Sequence, residues 1–299
     1  MKVSVLMPTY QHEAYIAKAI ESFLLQEFDK PMQLLISDDN SQDNTALIAK
    51  QYELLHPDRI KVFVQVSNLG LMKNYQFLIA QASGEYYAIL ESDDLWISKD
   101  KIKKQVGFLD HNPNYSLSFS NWFKWKGEEY SEQKAGNWYN SNPEIFYQNL
   151  LLRNLIKSPT VIFRASFFHK YSDINEYIKL NFNTFDYPVW LSLAKFHPFH
   201  YLQEATSAYR YVPSSLSNNK SIKNKLLFED GIHEIRAYII NKFGKGKLSI
   251  YAIGIREIIV KARHILRIDN GMKAIMYFFV SYVQLLIHLC LGKKTLFKP

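Results

Sequence analysis

At 299 residues, with 47% hydrophobic and 15% aromatic content, the chain has material for one large domain, or one domain and an appendage, and disorder is excluded. Its one cysteine, Cys290, excludes an intramolecular disulfide and a cysteine-based zinc site, and it fits a reducing compartment. The net charge of +8 suggests nucleic acid until it is divided by position: residues 1–220 hold 22 Lys+Arg against 23 Asp+Glu, and residues 221–299 hold 14 against 5, so the basicity belongs to the tail.

Val3–Met7 reads as an apolar strand closed by Pro8-Thr9-Tyr10, and five residues before a proline are too few for a secretory leader. Ala14–Leu25 carries apolar residues at helical spacing. Gln33–Ser37 is a second strand that ends in Asp38-Asp39-Asn40-Ser41. Asp43–Leu55 is the next helix, with Asp43 as its cap, and Ile60–Val66 alternates as a third strand. Leu71–Ala82 is helical and Gly84 breaks it. The apolar run Tyr86–Leu90 follows as a buried strand and ends in Glu91-Ser92-Asp93-Asp94, three carboxylates within four residues. This alternation of strand and helix predicts a mostly parallel sheet with helices on both faces.

Further on, the pattern predicts helices over Asp100–Leu109, 144–156 and Asp186–Lys195, and strands over Tyr115–Phe123, Thr160–Arg164 and Thr206–Val212. The polar stretch Pro213–Lys223 is the candidate linker, dividing the chain into 1–215 and a helical region 216–299. In the tail, Ala274–Leu291 is strongly apolar, but eighteen residues at about 1.5 Å each fall short of a ~30 Å hydrocarbon core. Lys273, Tyr277, Ser281, Gln284 and His288 form one polar stripe along it. With basic residues on both sides, the segment is expected to lie on an anionic membrane surface or to pack on a neighbour, not to span. No nucleic-acid-binding motif accompanies the charge.

Clustered acids need a cation or hydrogen-bond donors. Three polar strand ends, at Pro8–Tyr10, Asp38–Ser41 and Glu91–Asp94, fall on one sheet edge, where open α/β sheets bind ligands. Neither a G-x-G-x-x-G nor a G-x-x-x-x-G-K-[ST] phosphate loop is present, which leaves a carboxylate-held metal as the economical way to bind phosphate.

The order Val3–Tyr10, Asp38-Asp39-Asn40-Ser41-x-Asp43-x-Thr45, Asn68-x-Gly70, Ala82-x-Gly84-Glu85-Tyr86 and Glu91-x-Asp93-Asp94 resembles the family 2 glycosyltransferases of the GT-A fold over roughly residues 3–110. Glu91-x-Asp93 takes the place of that family's D-x-D motif, with Glu in the first position. The resemblance implies an inverting transferase acting on a UDP-, GDP- or dTDP-sugar, with Pro8, Tyr10 and Asp39 around the base. Glu91 and Asp93 would bind the donor, and Asp93 and Asp94 would hold Mn²⁺ or Mg²⁺. Asp38 and Asp43 suit turn and cap chemistry instead.

Inversion calls for one general base. Thr184-Phe185-Asp186-Tyr187-Pro188-Val189-Trp190 resembles the family segment that carries it, which nominates Asp186, with Glu176 and Asp173 as fallbacks; Asp186 also suits a helix N-cap. Ser158-Pro159-Thr160 resembles a segment near the acceptor. His169, His197 and His200 have no metal spacing, and Trp122, Trp125, Trp138 and Tyr139 are each expected in the core. The acceptor implied is a glycan or lipid-linked glycan in bacterial surface polysaccharide assembly, with the protein peripheral on the inner face of the plasma membrane. Two other readings share parts of this pattern: a sugar nucleotidyltransferase, which would want a glycine-rich basic loop where Gln11-His12-Glu13 stands, and a non-catalytic, membrane-associated glycan-binding module.

Overall fold

A computed structural model describes residues 1–127, 129–134, 138–212, 221–246, 250–266 and 275–282. Strand β1 (Val3–Thr9) is buried along its whole length, as a strand covered on both faces must be. Val3, Val5 and Met7 enter one core with α1 (Ile16–Leu24), α2 (Thr45–Leu55) and α4 (Lys101–His111). Leu6 points the other way, into a core with α3 (Leu71–Gln81) and α8 (Asp186–Phe196). Period-two alternation therefore feeds two apolar layers, and the strand reads as a continuous hydrophobic run.

Strands β2 (Met32–Asp38), β3 (Ile60–Val64) and β4 (Tyr86–Ile89) join β1 in the parallel order β3-β2-β1-β4. The chain first builds outward from β1 and then returns to its other side. The carboxyl ends of β1 and β4 thus flank a switch point, the place where open α/β sheets bind ligands. Gly84 is required at the entry to β4, because a Cβ there would lie 2.5 Å from the Ser4 amide nitrogen.

Beyond β4 the strand directions mix. β8 (Ile162–Arg164) runs antiparallel to β4 and to β6 (Leu117–Lys126), whereas β9 (Phe199–Arg210) runs parallel to β6. β5 (Leu95–Trp96) pairs antiparallel with β9, and β7 (Glu129–Gln133) forms a hairpin with β6. β9 begins at Phe199, not Thr206; its polar Gln203 and Glu204 are exposed, and they hide the strand from a hydrophobic reading. β5 is too short, and β7 too polar, to show any periodicity.

Helices α5 (Pro143–Leu152), α6 (Ala165–Tyr171) and α9 (Ile222–Phe243) pack on α8, while α7 (Ile174–Lys179) lies on α3 and α10 (Ile250–Leu266) lies on α9 and α5. Ile232, Ile235 and Ile239 of α9 belong to the same core as Trp190 of α8. Buried Arg236 donates from Nε to the Tyr187 hydroxyl at 3.1 Å and pairs with Glu257 of α10 at 3.6 Å. The greater part of Pro213–Lys223 lies outside the described residues, as do Lys273, Gln284, His288 and Cys290. Residues 275–282 are helical, and no described helix is long and apolar enough to cross a membrane.

Candidate active site

The loop after β4 brings one carboxylate oxygen from each of Glu91, Asp93 and Asp94 within 4.8 Å of one another. Burial, then the charges of Asp93 and Asp186, push the Glu91 carboxyl up to about 8, although the Tyr75 hydroxyl donates to its Oε1 at 3.2 Å. Burial and its two acidic neighbours hold Asp94 well above the usual carboxylate range. Asp93 is raised by burial, with His12 and Arg210 opposing. Among the described residues, Asp94 Oδ2 is buried without a hydrogen-bond partner. Three oxygen donors, raised proton affinities and one unsatisfied buried oxygen fit a hard divalent cation.

The ends of β1 and β2 close the neighbouring side. Pro8 pairs across the sheet with Ser37, and Tyr10 stands at the mouth, 42% exposed. Asp39 accepts from the backbone amides of Leu69 at 2.6 Å and Gly70 at 2.9 Å, so its carboxylate also fixes the start of α3. Asp38 accepts from the Ser41 amide at 2.9 Å, and Asp43 from the Thr45 amide at 3.0 Å; both serve the turn, as expected. Asn44, not Asp43, directly precedes α2. Gln11 holds φ of 54°, and its amide donates to Ser41 Oγ at 2.8 Å. A non-glycine residue in that region is costly and is a recurrent feature of functional sites.

Asp186 opens α8 on the same side as the acidic loop, close enough for its charge to raise Glu91 and the Tyr75 hydroxyl. Its Oδ2 accepts from Asn154 Nδ2 at 2.9 Å, and Oδ1 accepts from the Tyr187 amide at 2.7 Å and from the Thr184 hydroxyl. Phe185 is the N-cap residue, so Asp186 stands one place inside the helix. The fallbacks are committed elsewhere. Asp173 caps α7 through the Glu176 amide at 3.1 Å, and Glu176 binds Lys242 of α9 at 2.8 Å.

Three tryptophans expected in the core are not core residues. The β6 register shifts around Asn121, and beyond it Trp122 and Trp125 are only half-buried. Trp125 lies against the Arg210 guanidinium at 3.5 Å, and Lys157 lies 5.6 Å over Trp122. Trp138 is 46% exposed, while Tyr139 packs against the core as expected. The histidines are structural. His169 meets the Tyr87 hydroxyl at 3.0 Å, His197 stacks on Phe167, and His200 stacks on Phe108. Sequence reasoning missed Asn154, Lys157 and Arg210, for which no local motif gave a signal.

The Glycosyl transferase family 2 model matches residues 4–175, more than half of the chain. The chain belongs to that family. An uncharacterized protein of Mycobacterium tuberculosis is 30% identical over 174 residues, which is 58% of this chain and 49% of that one; the chain thus spans about half of its length. The UDP-Glc:alpha-D-GlcNAc-diphosphoundecaprenol beta-1,3-glucosyltransferase WfgD of Escherichia coli is 28% identical over 220 residues, 73% of this chain and 80% of its own.

Among solved structures, Staphylococcus aureus TarS in complex with UDP-GlcNAc aligns with a TM-score of 0.63 at 19% identity, covering 94% of this chain and 81% of that one. The mannosyltransferase PcManGT of Pyrobaculum calidifontis, in complex with GDP-Man and Mn²⁺, aligns at 0.54 with 13% identity, covering 95% and 74%. This family 2 member has the GT-A fold.

Proposed function

We propose that this glycosyltransferase moves a sugar from a UDP-, GDP- or dTDP-sugar to a hydroxyl acceptor with inversion, in the assembly of a bacterial surface polysaccharide. The observation that supports the reading is the Glu91/Asp93/Asp94 platform at the end of β4, with the Asp186 charge acting on Glu91. Pro8, Tyr10 and Asp39 line the base side, Glu91 and Asp93 face the donor, and Asp93 and Asp94 would hold Mn²⁺ or Mg²⁺. When bound, that cation supplies positive charge against the diphosphate.

In the transfer step the acceptor oxygen bonds to the anomeric carbon from the face opposite the diphosphate. The bond from that carbon to the β-phosphate oxygen breaks, and its electron pair leaves with the nucleoside diphosphate. The acceptor proton passes to the Asp186 carboxylate. Hydrogen bonds from Asn154 and the Tyr187 amide hold that carboxylate in one orientation.

A lipid-linked glycan acceptor fits both the name of the E. coli relative and the tail. On the helix at 275–282, Tyr277 and Ser281 are half-buried, while Ile275, Met276, Phe278, Phe279 and Val280 are each at least 40% exposed. We assign residues 1–215 to transfer and 216–299 to packing and peripheral attachment on the cytoplasmic membrane face. The test is nucleoside diphosphate release by the full-length chain, with Mn²⁺, an undecaprenol-diphosphate-linked sugar acceptor and each nucleotide sugar in turn. Acceptor-dependent release with one donor class is expected; no release with any donor sinks the reading.

A further inference from the structure

Lys157 is a basic side chain whose surroundings include both halves of the site. Its charge is felt together with those of Asp186, Asp94 and Glu91. No ion pair within 4 Å joins it to any of them among the described residues, and its ammonium instead lies 4.3 Å over the Tyr209 ring and 5.6 Å over Trp122. An ammonium held over aromatic faces beside several carboxylates, yet bonded to none, is placed to accept a new anionic partner.

The backbone that presents it is clamped, and the side chain is not. The Lys157 carbonyl accepts from the Thr160 amide at 2.9 Å and from the Thr160 hydroxyl at 2.7 Å. The Thr160 carbonyl in turn accepts from buried Lys101 and from Gln105, each at 3.0 Å. The Pro159 carbonyl accepts from Trp96 Nε1 at 2.9 Å and Ser207 Oγ at 2.7 Å. Strands β5 and β9 and helix α4 therefore hold the Ser158–Thr160 turn from separate directions.

Charge decides what partner suits this place. Glu91, Asp93, Asp94 and Asp186 carry four formal negative charges, against which Lys157 and Arg210 supply two. One divalent cation brings that set to neutrality only with the Lys157 ammonium counted, so Lys157 belongs to the positive charge that an incoming diphosphate would meet. A donor sugar with its own carboxylate would add to the excess. The site between the platform and Asp186 is also where the link between diphosphate and sugar must run.

We propose that Lys157 contacts the β-phosphate of the nucleoside diphosphate, as a second cationic group beside the acidic platform. The proposal rests on the glycosyl-transfer reading, and its chemistry is confined to the leaving group. As the bond to the anomeric carbon breaks, the electron pair stays on the β-phosphate oxygen, and Lys157 meets that charge without giving up its proton. The Trp122 and Tyr209 rings hold the ammonium in place for the contact.

Calorimetric titration of the full-length protein with Mn²⁺ tests this by comparing UDP with UMP, GDP with GMP and dTDP with dTMP. Only the diphosphates carry the β-phosphate. Lys157→Gln is expected to weaken the diphosphate that wild type binds by about tenfold or more, and to leave its monophosphate unchanged. Lys157→Arg is expected to keep most of the diphosphate affinity, which guards against a folding defect in the glutamine variant. Equal loss for diphosphate and monophosphate, or no loss for either, overturns the proposal. So does a loss confined to a nucleotide-linked uronic acid, which would place the ammonium at a sugar carboxylate. If wild type binds none of the diphosphates, the glycosyl-transfer reading itself fails.

Discussion

The backbone amide of Arg210 donates to Asp94 Oδ1 at 2.8 Å, and Arg210 Nε donates to the Asp93 carbonyl at 2.9 Å. The end of β9 is thereby tied to a loop more than a hundred residues earlier, and the two oxygens of Asp94 have different work. Oδ1 holds the strand, while Oδ2 is buried with no hydrogen-bond partner among the described residues. Asp94→Asn keeps an oxygen for the Arg210 amide and removes the charge. The melting temperature without metal should hold or rise, since repulsion with Glu91 and Asp93 falls. Stabilisation by Mn²⁺ with donor should vanish, and transfer should drop by about 100-fold or more. A variant that still gains stability from Mn²⁺ would remove Asp94 from the metal site.

Asp186→Asn separates chemistry from binding. The amide oxygen still accepts from the Tyr187 amide, so α8 should start in the same place. Loss of a general base is expected to lower turnover by about 100- to 10,000-fold, with affinity for the nucleotide sugar unchanged. Asn154→Ala should cost less, because it frees the carboxylate without removing it. Initial rates and donor titrations on the three proteins check this, and retained turnover in Asp186→Asn would sink the assignment.

Why these two acids were readable from sequence and their supports were not is a matter of range. Glu91–Asp94 follows a buried strand directly, and the β1 to β4 segment has local periodicity throughout, so both platform and parallel half-sheet show in the residues. Asp186 shows through the segment that carries it. Lys157 and Arg210 come from a turn and a strand end whose neighbours are set by long-range pairing of β5, β6, β8 and β9. Trp122 and Trp125 look like core residues in sequence because hydrophobicity does not report which face of β6 is left open past the register shift.

Glu91 makes stability depend on pH with a definite sign. Its carboxyl is raised from an ordinary 4.5 to about 8 by burial, then by Asp93 and Asp186. The folded protein therefore keeps a proton that the unfolded chain releases, and stability falls as pH rises from about 4.5 to about 8 and then levels. A cation at the site favours the charged form and opposes the trend. Stabilisation by Mn²⁺ should therefore grow between about pH 6 and pH 8, reaching an added melting shift of about 2 °C or more. In Glu91→Gln the growth should shrink. A metal shift that is flat across this range in wild type would show that Glu91 does not titrate there.

The helix at 275–282 turns its apolar residues outward, with Phe279 at 68% and Ile275 at 66% exposure. Tyr277 is half-buried, on the side within electrostatic reach of Lys261 of α10. An exposed run of this kind on a basic tail suits an anionic bilayer, where each buried phenylalanine contributes about 1.5–3 kcal/mol. Replacing Phe279 and Ile275 together by serine should weaken binding to phosphatidylglycerol-containing vesicles by about tenfold or more, and salt should weaken both proteins. The melting temperature should stay within about 1 °C, because neither side chain is buried. Cosedimentation with vesicles at low and high salt measures the effect. Equal binding by wild type and variant would show that this face does not meet the membrane.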